Sequence, residues 1–228
     1  MKYFKVVSVI LFLLLIPLAL IIGNTRPIED GDTWWQMQYG KYMLENKTLI
    51  PDHSIYTWTP ASNDEIYCAW LPEIIMYSIY STFGFFSLYV LKYSMALFVA
   101  LLFFFYAYKN NVLLHPIALL TILMGIITHG ASSGSMIKPE LFTYVFMSLL
   151  VFVWWVYATN KEKNYKLLYS MPIIILIWVN SHGGFVFAAF FFVCIIIGSF
   201  LNYKLNKESN VTIFQLKHII MTSDLSFI

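Results

Sequence analysis

Residues 29–41 read Glu29-Asp30-Gly31-Asp32-Thr33-Trp34-Trp35-Gln36-Met37-Gln38-Tyr39-Gly40-Lys41 and come soon after a long apolar run. The segment is acidic and aromatic in an otherwise apolar chain. Trp and Tyr are enriched at the membrane–water boundary, so we interpret it as the start of an extracytoplasmic loop that spans residues 24–84. Within it, Thr33–Glu45 is predicted to form a short helix along the membrane surface, with Asp32 as its N-cap.

The composition indicates a membrane protein. Hydrophobic residues make up 60% of the chain and charged residues only 11%, whereas a soluble domain carries roughly a quarter charged residues. Only one arginine, Arg26, is present, which argues against a nucleic-acid-binding surface. We therefore expect membrane lipid, and no nucleic acid, among the partners.

Uncharged runs near the crossing length of about 20 residues recur along the chain. They predict an all-α, polytopic transmembrane helix bundle of about six spans, formed by a single domain over residues 1–228. The predicted spans are Val6–Gly23, Ser87–Tyr108, Val112–Thr128, Leu141–Ala158, Leu167–Asn180 and Phe185–Tyr203. Trp70–Phe83 is apolar but short, and Pro72 and Glu73 lie in its first turn.

The lysine distribution decides whether Trp70–Phe83 crosses. If it does not cross, Lys2 and Lys5 lie on the same side of the membrane as Lys109, Lys204 and the lysines of residues 161–166. The positive-inside rule favours this arrangement. We therefore take Trp70–Phe83 as interfacial or re-entrant. The predicted location is the cytoplasmic membrane, multi-pass, with a cytoplasmic N-terminus and a cytoplasmic tail at 204–228.

This topology places polar residues from distant parts of the chain at the external face, where such convergence suggests a binding site. The residues concerned are Asp30, Asp32, Asp52, His53, Glu73, His129, Lys138, Glu140, Asn180 and His182. We expect Asp32, Lys138 and His182 to share one aqueous pocket.

Asp30 and Asp32 flank Gly31, so the backbone can bend and direct both carboxylates to one point. The pair could hold a divalent cation such as Mg²⁺ or Mn²⁺, or one carboxylate could act as a general base. Helix capping within a solvated acidic loop is the structural alternative.

Three further polar groups are candidates for substrate binding. Lys138 precedes Pro139 and Glu140 at the predicted start of a span, where it could bind a lipid-linked phosphate. His182 follows a short, Pro-interrupted apolar run in an Asn180–Gly184 turn, and irregular backbone at membrane depth usually lines a cavity. Lys92 lies inside a predicted span, where it either extends towards the interface or contacts the same phosphate.

Five short motifs follow one another along the chain: Asp32–Gly40, Pro51–Thr57, Trp70–Glu73, Lys138–Tyr144 and Trp178–Phe185. Taken together and in this order, they resemble a family of bacterial multi-spanning membrane proteins of the GT-C type. GT-C proteins are membrane glycosyltransferases that use polyprenyl-phosphate-linked sugars. The family usually has His at the position of Gln36 and Arg at the position of Lys138, and its members are longer, so we expect this chain to be an N-terminal portion.

The resemblance implies transfer of a sugar from a polyprenyl phosphate or diphosphate to an acceptor at the extracytoplasmic face. It implies that an acidic residue of the first external loop is essential, so Asp32, with Asp30 as second candidate, is the expected general base. Lys138, His182 and Lys92 are expected to stabilise charge on the leaving phosphate. Trp34 and Trp35 are expected to form a wall for the sugar or acceptor.

Two other classes of function stay open on the sequence. One is a transporter or flippase, which the short, interrupted Leu167–Asn180 segment favours, although we find no clear internal repeat of the kind that transporters carry. The other is a non-catalytic membrane scaffold. Only an enzyme would consume a lipid-linked sugar.

Overall fold

The structure, a computed structural model, describes residues 10, 14, 31–49, 51, 55, 69–109, 137–159 and 165–205. No strand occurs within these ranges, so the all-α prediction is confirmed for them. Short 3-10 segments occur at Tyr165–Tyr169 and Gly183–Phe185. The longer α-helices are α1 (Asp32–Asn46), α2 (Trp70–Phe83), α3 (Phe86–Lys109), α4 (Glu140–Thr159), α5 (Ser170–Val179) and α6 (Val186–Leu205).

Three helical segments in the described part of the chain are long and apolar enough to cross a membrane: Phe86–Tyr106, Glu140–Thr159 and Gly183–Leu201. They match three of the predicted spans to within a few residues. The predicted spans Val6–Gly23 and Val112–Thr128 lie outside the described residues, apart from Ile10 and Leu14, so the count of six stays a prediction.

Two apolar segments are shorter than a span. Tyr165–Val179 is a 3-10 segment followed by α5, which has 10 residues. Helix α2 has 14 residues, fewer than a span needs, and its interfacial or re-entrant placement stays a prediction, as does the crossing of Leu167–Asn180. Pro72 lies in the first turn of α2, where the missing N–H is not needed by the helix.

The chain divides into two compact units. Unit 1 comprises Met1–Thr48 and Glu73–Lys138, and unit 2 comprises Leu49–Pro72 and Pro139–Ile228. The first turn of α2 belongs to unit 2 and the rest of that helix to unit 1. The prediction of a single transmembrane domain stays a prediction.

In unit 1, α1 and the greater part of α2 run antiparallel. Gly40 of α1 lies against the main-chain carbonyl of Glu73, and the ring of Trp34 meets that of Tyr80 at 6.4 Å. Gly40 of α1 therefore lies beside the start of α2 and Trp34 beside its end, so the two helices run in opposite directions. Gly84, at φ 78°, then makes the turn from α2 into α3, a conformation that glycine adopts without a steric penalty.

Unit 2 has a core between α4, α5 and α6. Trp178, Leu150, Met171 and Ile175 are almost completely buried there, together with Ala188 of α6. Since Thr143 of α4 contacts both Trp178 and His182, α4 and the Gly183–Leu201 segment begin at the same end of this unit. Helix α5 runs in the opposite direction to α4, since Trp178 near its end donates to Thr143 near the start of α4.

The predicted N-cap of the first helix is wrong by one residue. Gly31 is the N-cap and makes no side-chain capping bond, and Asp32 is the first helical residue. Its carboxylate is engaged by the side chains of Trp35 and Lys138 instead of serving as the cap. A carboxylate in the first turn still interacts favourably with the helix dipole.

Candidate functional site

The carboxylate of Asp32 is held by two side chains within unit 1. The indole Nε1 of Trp35 donates a hydrogen bond of 2.8 Å to Oδ1. The ammonium of Lys138 donates to Oδ2 at 3.4 Å, a distance that also makes an ion pair. The carboxylate is therefore oriented by one strong bond and neutralised by one longer contact.

Local sequence explains this arrangement. Asp32 and Trp35 are three residues apart on α1, so their side chains lie on the same face of the helix. The Asp32 side chain is 47% exposed, whereas that of Lys138 is only 14% exposed. A lysine so enclosed has fewer conformations available than a surface lysine, so its charge stays beside the carboxylate.

Trp34 lies on a different side of α1 from Trp35. Its ring stacks on Phe85 at 5.8 Å with an interplanar angle of 8°, and it meets the edge of Tyr80. One face of the indole is thus covered while the residue stays 42% exposed. This is a partly open aromatic surface, with the area and low flexibility that suit binding of an apolar face of a ligand.

The buried face of α1 carries polar atoms that have no hydrogen-bond partner among the described residues. These atoms are Thr33 Oγ1 and Gln36 Oε1. On α2, both carboxyl oxygens of Glu73 are also buried without a hydrogen-bond partner among the described residues. Glu73 is fully buried. Buried polar groups are almost always paired, so this concentration in one unit is unusual.

Burial without a partner raises the pKa of Glu73 to about 8, because the charged form loses its hydration. At neutral pH the side chain is therefore mostly a protonated acid, which can donate a hydrogen bond. Glu73 is one of the predicted substrate-binding residues, but the sequence alone does not predict its protonation.

Lys92, on α3, is only 5% exposed. It is buried within the described part of the chain, which does not favour the interpretation that it extends to the interface. A lysine inside a membrane-crossing helix is costly and marks a functional position by default.

Unit 2 holds a second group of polar side chains. Trp178 Nε1 donates to Thr143 Oγ1 at 2.9 Å, and Thr143 Oγ1 lies 2.9 Å from His182 Nδ1. The backbone N–H of Gly184 donates to the same nitrogen at 3.0 Å. The histidine is thereby fixed at the polar turn between α5 and α6.

Gly184 is required by this packing. A β-carbon at that position would lie 2.7 Å from Thr143 Oγ1 and 2.9 Å from His182 Nδ1, so the backbone could not approach the ring. On its other side the imidazole faces Glu140, with Nε2 3.9 Å from Oε1. Glu140 and His182 are two of the residues that the sequence predicts at the external face.

Asn180 has a structural role in the same turn. Its Oδ1 accepts from Trp70 Nε1 at 3.0 Å, and its Nδ2 donates to Leu176 O at 2.7 Å. The N–H of Leu71 donates to its main-chain carbonyl at 3.4 Å. These bonds tie the first turn of α2 to the end of α5, and they occupy the amide that the sequence analysis offered as a substrate contact.

Asp30, Asp52, His53 and His129 lie outside the described residues. No group of three or more His, Cys, Asp or Glu side chains that could hold a metal occurs within 31–49, 69–109, 137–159 and 165–205. The Asp30–Asp32 cation site stays a prediction. Asp32 and Lys138 belong to unit 1 and His182 to unit 2, so the pocket expected to join all three stays a prediction.

Sequence reasoning assigned no role to Thr143, Trp178 or Gln36. Thr143 comes three residues after Glu140 within an apolar run, and this spacing on a helix could have drawn attention to it. Gln36 lies on the same face of α1 as Gly40, four residues later, and α2 approaches the helix at Gly40.

The apolar helices together with these polar groups define a helical membrane protein. Comparisons with protein-family models, with curated proteins and with solved structures find no match to this chain.

Proposed function

We propose that this protein is a GT-C-like membrane glycosyltransferase. It transfers a sugar from a polyprenyl-phosphate or polyprenyl-diphosphate donor to an acceptor at the extracytoplasmic face of the cytoplasmic membrane. The observation that carries the proposal is the Asp32 carboxylate, which is half-exposed, oriented by Trp35 and paired with the enclosed ammonium of Lys138. In the GT-C family that the motifs resemble, the essential acid lies in the corresponding loop.

The proposed reaction uses both members of the pair. Asp32 accepts the proton of the acceptor hydroxyl, whose oxygen forms a bond to the anomeric carbon of the sugar. The bond between that carbon and the phosphate oxygen breaks, and the bonding electrons leave with the polyprenyl phosphate. Lys138 stabilises the charge that develops on the leaving group.

The ammonium of Lys138 cannot pair fully with the Asp32 carboxylate and with a donor phosphate at the same time. In the resting protein it pairs with Asp32 at 3.4 Å, a long contact for a charge-assisted hydrogen bond. A donor phosphate would compete for the ammonium, and its arrival would release Oδ2 to accept a proton. Binding of the donor thus prepares the base, while Trp35 keeps the carboxylate in position.

The direct test is consumption of a radiolabelled polyprenyl-phosphate sugar by membranes that contain the protein. Asp32→Asn keeps the acceptor for Trp35 and removes the base, so we expect a loss of transfer of about 10²–10⁴-fold. Glu45→Gln, at an exposed position on the same helix, is the matched control. If Asp32→Asn transfers sugar at the normal rate, the proposed role of Asp32 is wrong, and a wild-type protein that consumes no donor argues against the enzyme.

Transport of a lipid-linked or small polar substrate is the second candidate. The observation in its favour is the short helix α5, which follows a 3-10 segment and ends in a polar turn, as discontinuous transporter helices do. The same membranes and the same labelled lipid distinguish the two functions. A transporter would move the labelled lipid between leaflets without cleaving the sugar.

A further inference from the structure

The donor and the acceptor of each hydrogen bond around the His182 ring can be assigned from its partners. Trp178 Nε1–H can only donate, so Thr143 Oγ1 is the acceptor in their 2.9 Å bond. The Trp178 ring is held in place, since it is fully buried and stacks on Phe146 at 6.3 Å. The remaining hydroxyl proton of Thr143 is then available for His182 Nδ1, which lies 2.9 Å away.

The second partner of Nδ1 excludes the tautomer in which Nδ1 carries the proton. The backbone N–H of Gly184 can only donate, and it points to Nδ1 at 3.0 Å. A proton on Nδ1 would place two N–H groups against each other and would reverse the bond with Thr143. Nδ1 therefore carries a lone pair, and in the neutral ring the proton is on Nε2.

The Nε2–H faces the carboxylate of Glu140. The distance of 3.9 Å between Nε2 and Oε1 exceeds a direct hydrogen bond. An oxygen atom that bridges the two groups would lie about 2.8 Å from each, and both side chains are partly exposed, at 21% and 41%. A hydroxyl group matches both, because its oxygen accepts from Nε2–H and its proton goes to the carboxylate, whereas a phosphate would be repelled by Glu140.

We propose that Thr143, Trp178 and Gly184 hold His182 as the Nε2–H tautomer, and that this ring and Glu140 bind a hydroxyl group of a ligand. The identity of the ligand as the sugar or its acceptor rests on the proposed function. His182 is then a hydrogen-bond donor to a hydroxyl group, whereas the resemblance implied that it stabilises charge on the leaving phosphate. Thr143 and Trp178 act as positioning residues, and the site lies where two membrane-crossing segments begin.

Nitrogen NMR of protein labelled with ¹⁵N-histidine tests the tautomer directly. We expect the wild-type His182 resonances to show a protonated Nε2 and an unprotonated, hydrogen-bonded Nδ1. Thr143→Ser keeps the hydroxyl and should preserve this pattern. Thr143→Val should move the Nδ1 resonance towards that of an unbonded imine nitrogen, an effect that loss of packing alone would not give. A protonated Nδ1 in the wild type, or an unchanged Nδ1 in Thr143→Val, overturns the assignment.

The same spectra, recorded with millimolar mannose, galactose and glucose or with inorganic phosphate, test the ligand class. A hexose should shift the Nε2 resonance, and Glu140→Leu should abolish the shift while the tautomer is kept. A response to phosphate alone, or to none of these probes, overturns the hydroxyl assignment. Because no lipid-linked donor is present, the result does not depend on whether the protein transfers sugar.

Discussion

Gly40 of α1 lies directly against the main-chain carbonyl of Glu73 in α2. A β-carbon at position 40 would overlap the carbonyl oxygen, would lie 2.6 Å from the carbonyl carbon and would stand 3.1 Å from the nitrogen of Ile74. All three atoms belong to the backbone, so no side-chain rotation can relieve the overlap. This contact allows the polar face of α1 and the buried carboxyl of Glu73 to lie in one unit.

Gly40→Ala should therefore separate the two helices. Alanine favours a helix by up to about 1 kcal/mol over glycine, but forcing an atom into a packed interface costs about 1–3 kcal/mol. We expect a net loss of stability, measured as a lower thermal midpoint in detergent. Gly198→Ala is the control, since a β-carbon there meets nothing within 4 Å. Equal midpoints for the two variants would contradict the close approach.

Glu73 should make stability dependent on pH. Below its ordinary pKa of 4.5, the Glu73 side chain is protonated in both the folded and the unfolded protein. As the pH rises from 4.5 to about 8, the unfolded chain loses this proton and the folded chain keeps it. The free energy of unfolding should then fall by up to about 1.4 kcal/mol per pH unit and level off above pH 8.

Glu73→Gln should remove that dependence, because an amide does not titrate. Thermal midpoints between pH 5 and 9 measure it, and Glu45→Gln, whose side chain is 61% exposed, should keep the wild-type profile. Parallel profiles for wild type and Glu73→Gln would show that Glu73 is not a buried acid.

Lys138 should matter for transfer much more than for folding. Its pair with the half-exposed Asp32 contributes about 0–1 kcal/mol, so Lys138→Met should unfold close to the wild-type temperature. Donor consumption should fall by at least about tenfold through loss of the charge beside the leaving phosphate. Lys138→Arg should retain part of the activity.

Lys41→Met is the matched control for that variant. Lys41 pairs with Glu45 at 3.8 Å on an exposed part of α1, and its loss should leave donor consumption unchanged. If Lys138→Met and Lys41→Met behave alike in the transfer assay, Lys138 has no role in the reaction.

Trp70 and Asn180 should be energetically coupled. Their hydrogen bond of 3.0 Å joins residues 110 positions apart, and bonds of this type contribute about 0.5–1.5 kcal/mol. A double-mutant cycle of Trp70→Phe and Asn180→Leu, followed by denaturant unfolding, should give a coupling energy in this range. Additive effects of the two substitutions would show that the bond does not hold the first turn of α2.

The sequence predicted best where one physical requirement dominates. The helices at Phe86–Tyr106, Glu140–Thr159 and Gly183–Leu201 follow from the length and apolar character needed to cross hydrocarbon. The start of α4 at Glu140 follows from Pro139, which suits the beginning of a helix. The first turn of α1 was less predictable, because Asp32 could serve either as a cap or as a partner for more distant side chains.

The sequence by itself determined that the chain is helical and suited to a membrane, since hydrophobicity and local helix signals act over neighbouring residues. Only the tertiary structure decided which polar groups are paired. It joins Asp32 to Lys138, 106 residues away, and directs Thr143 and Gly184 to one nitrogen of His182. It also buries Glu73, which raises the pKa of its carboxyl. Such pairings depend on how helices approach one another, and a position without a side chain, such as Gly40, can decide that approach.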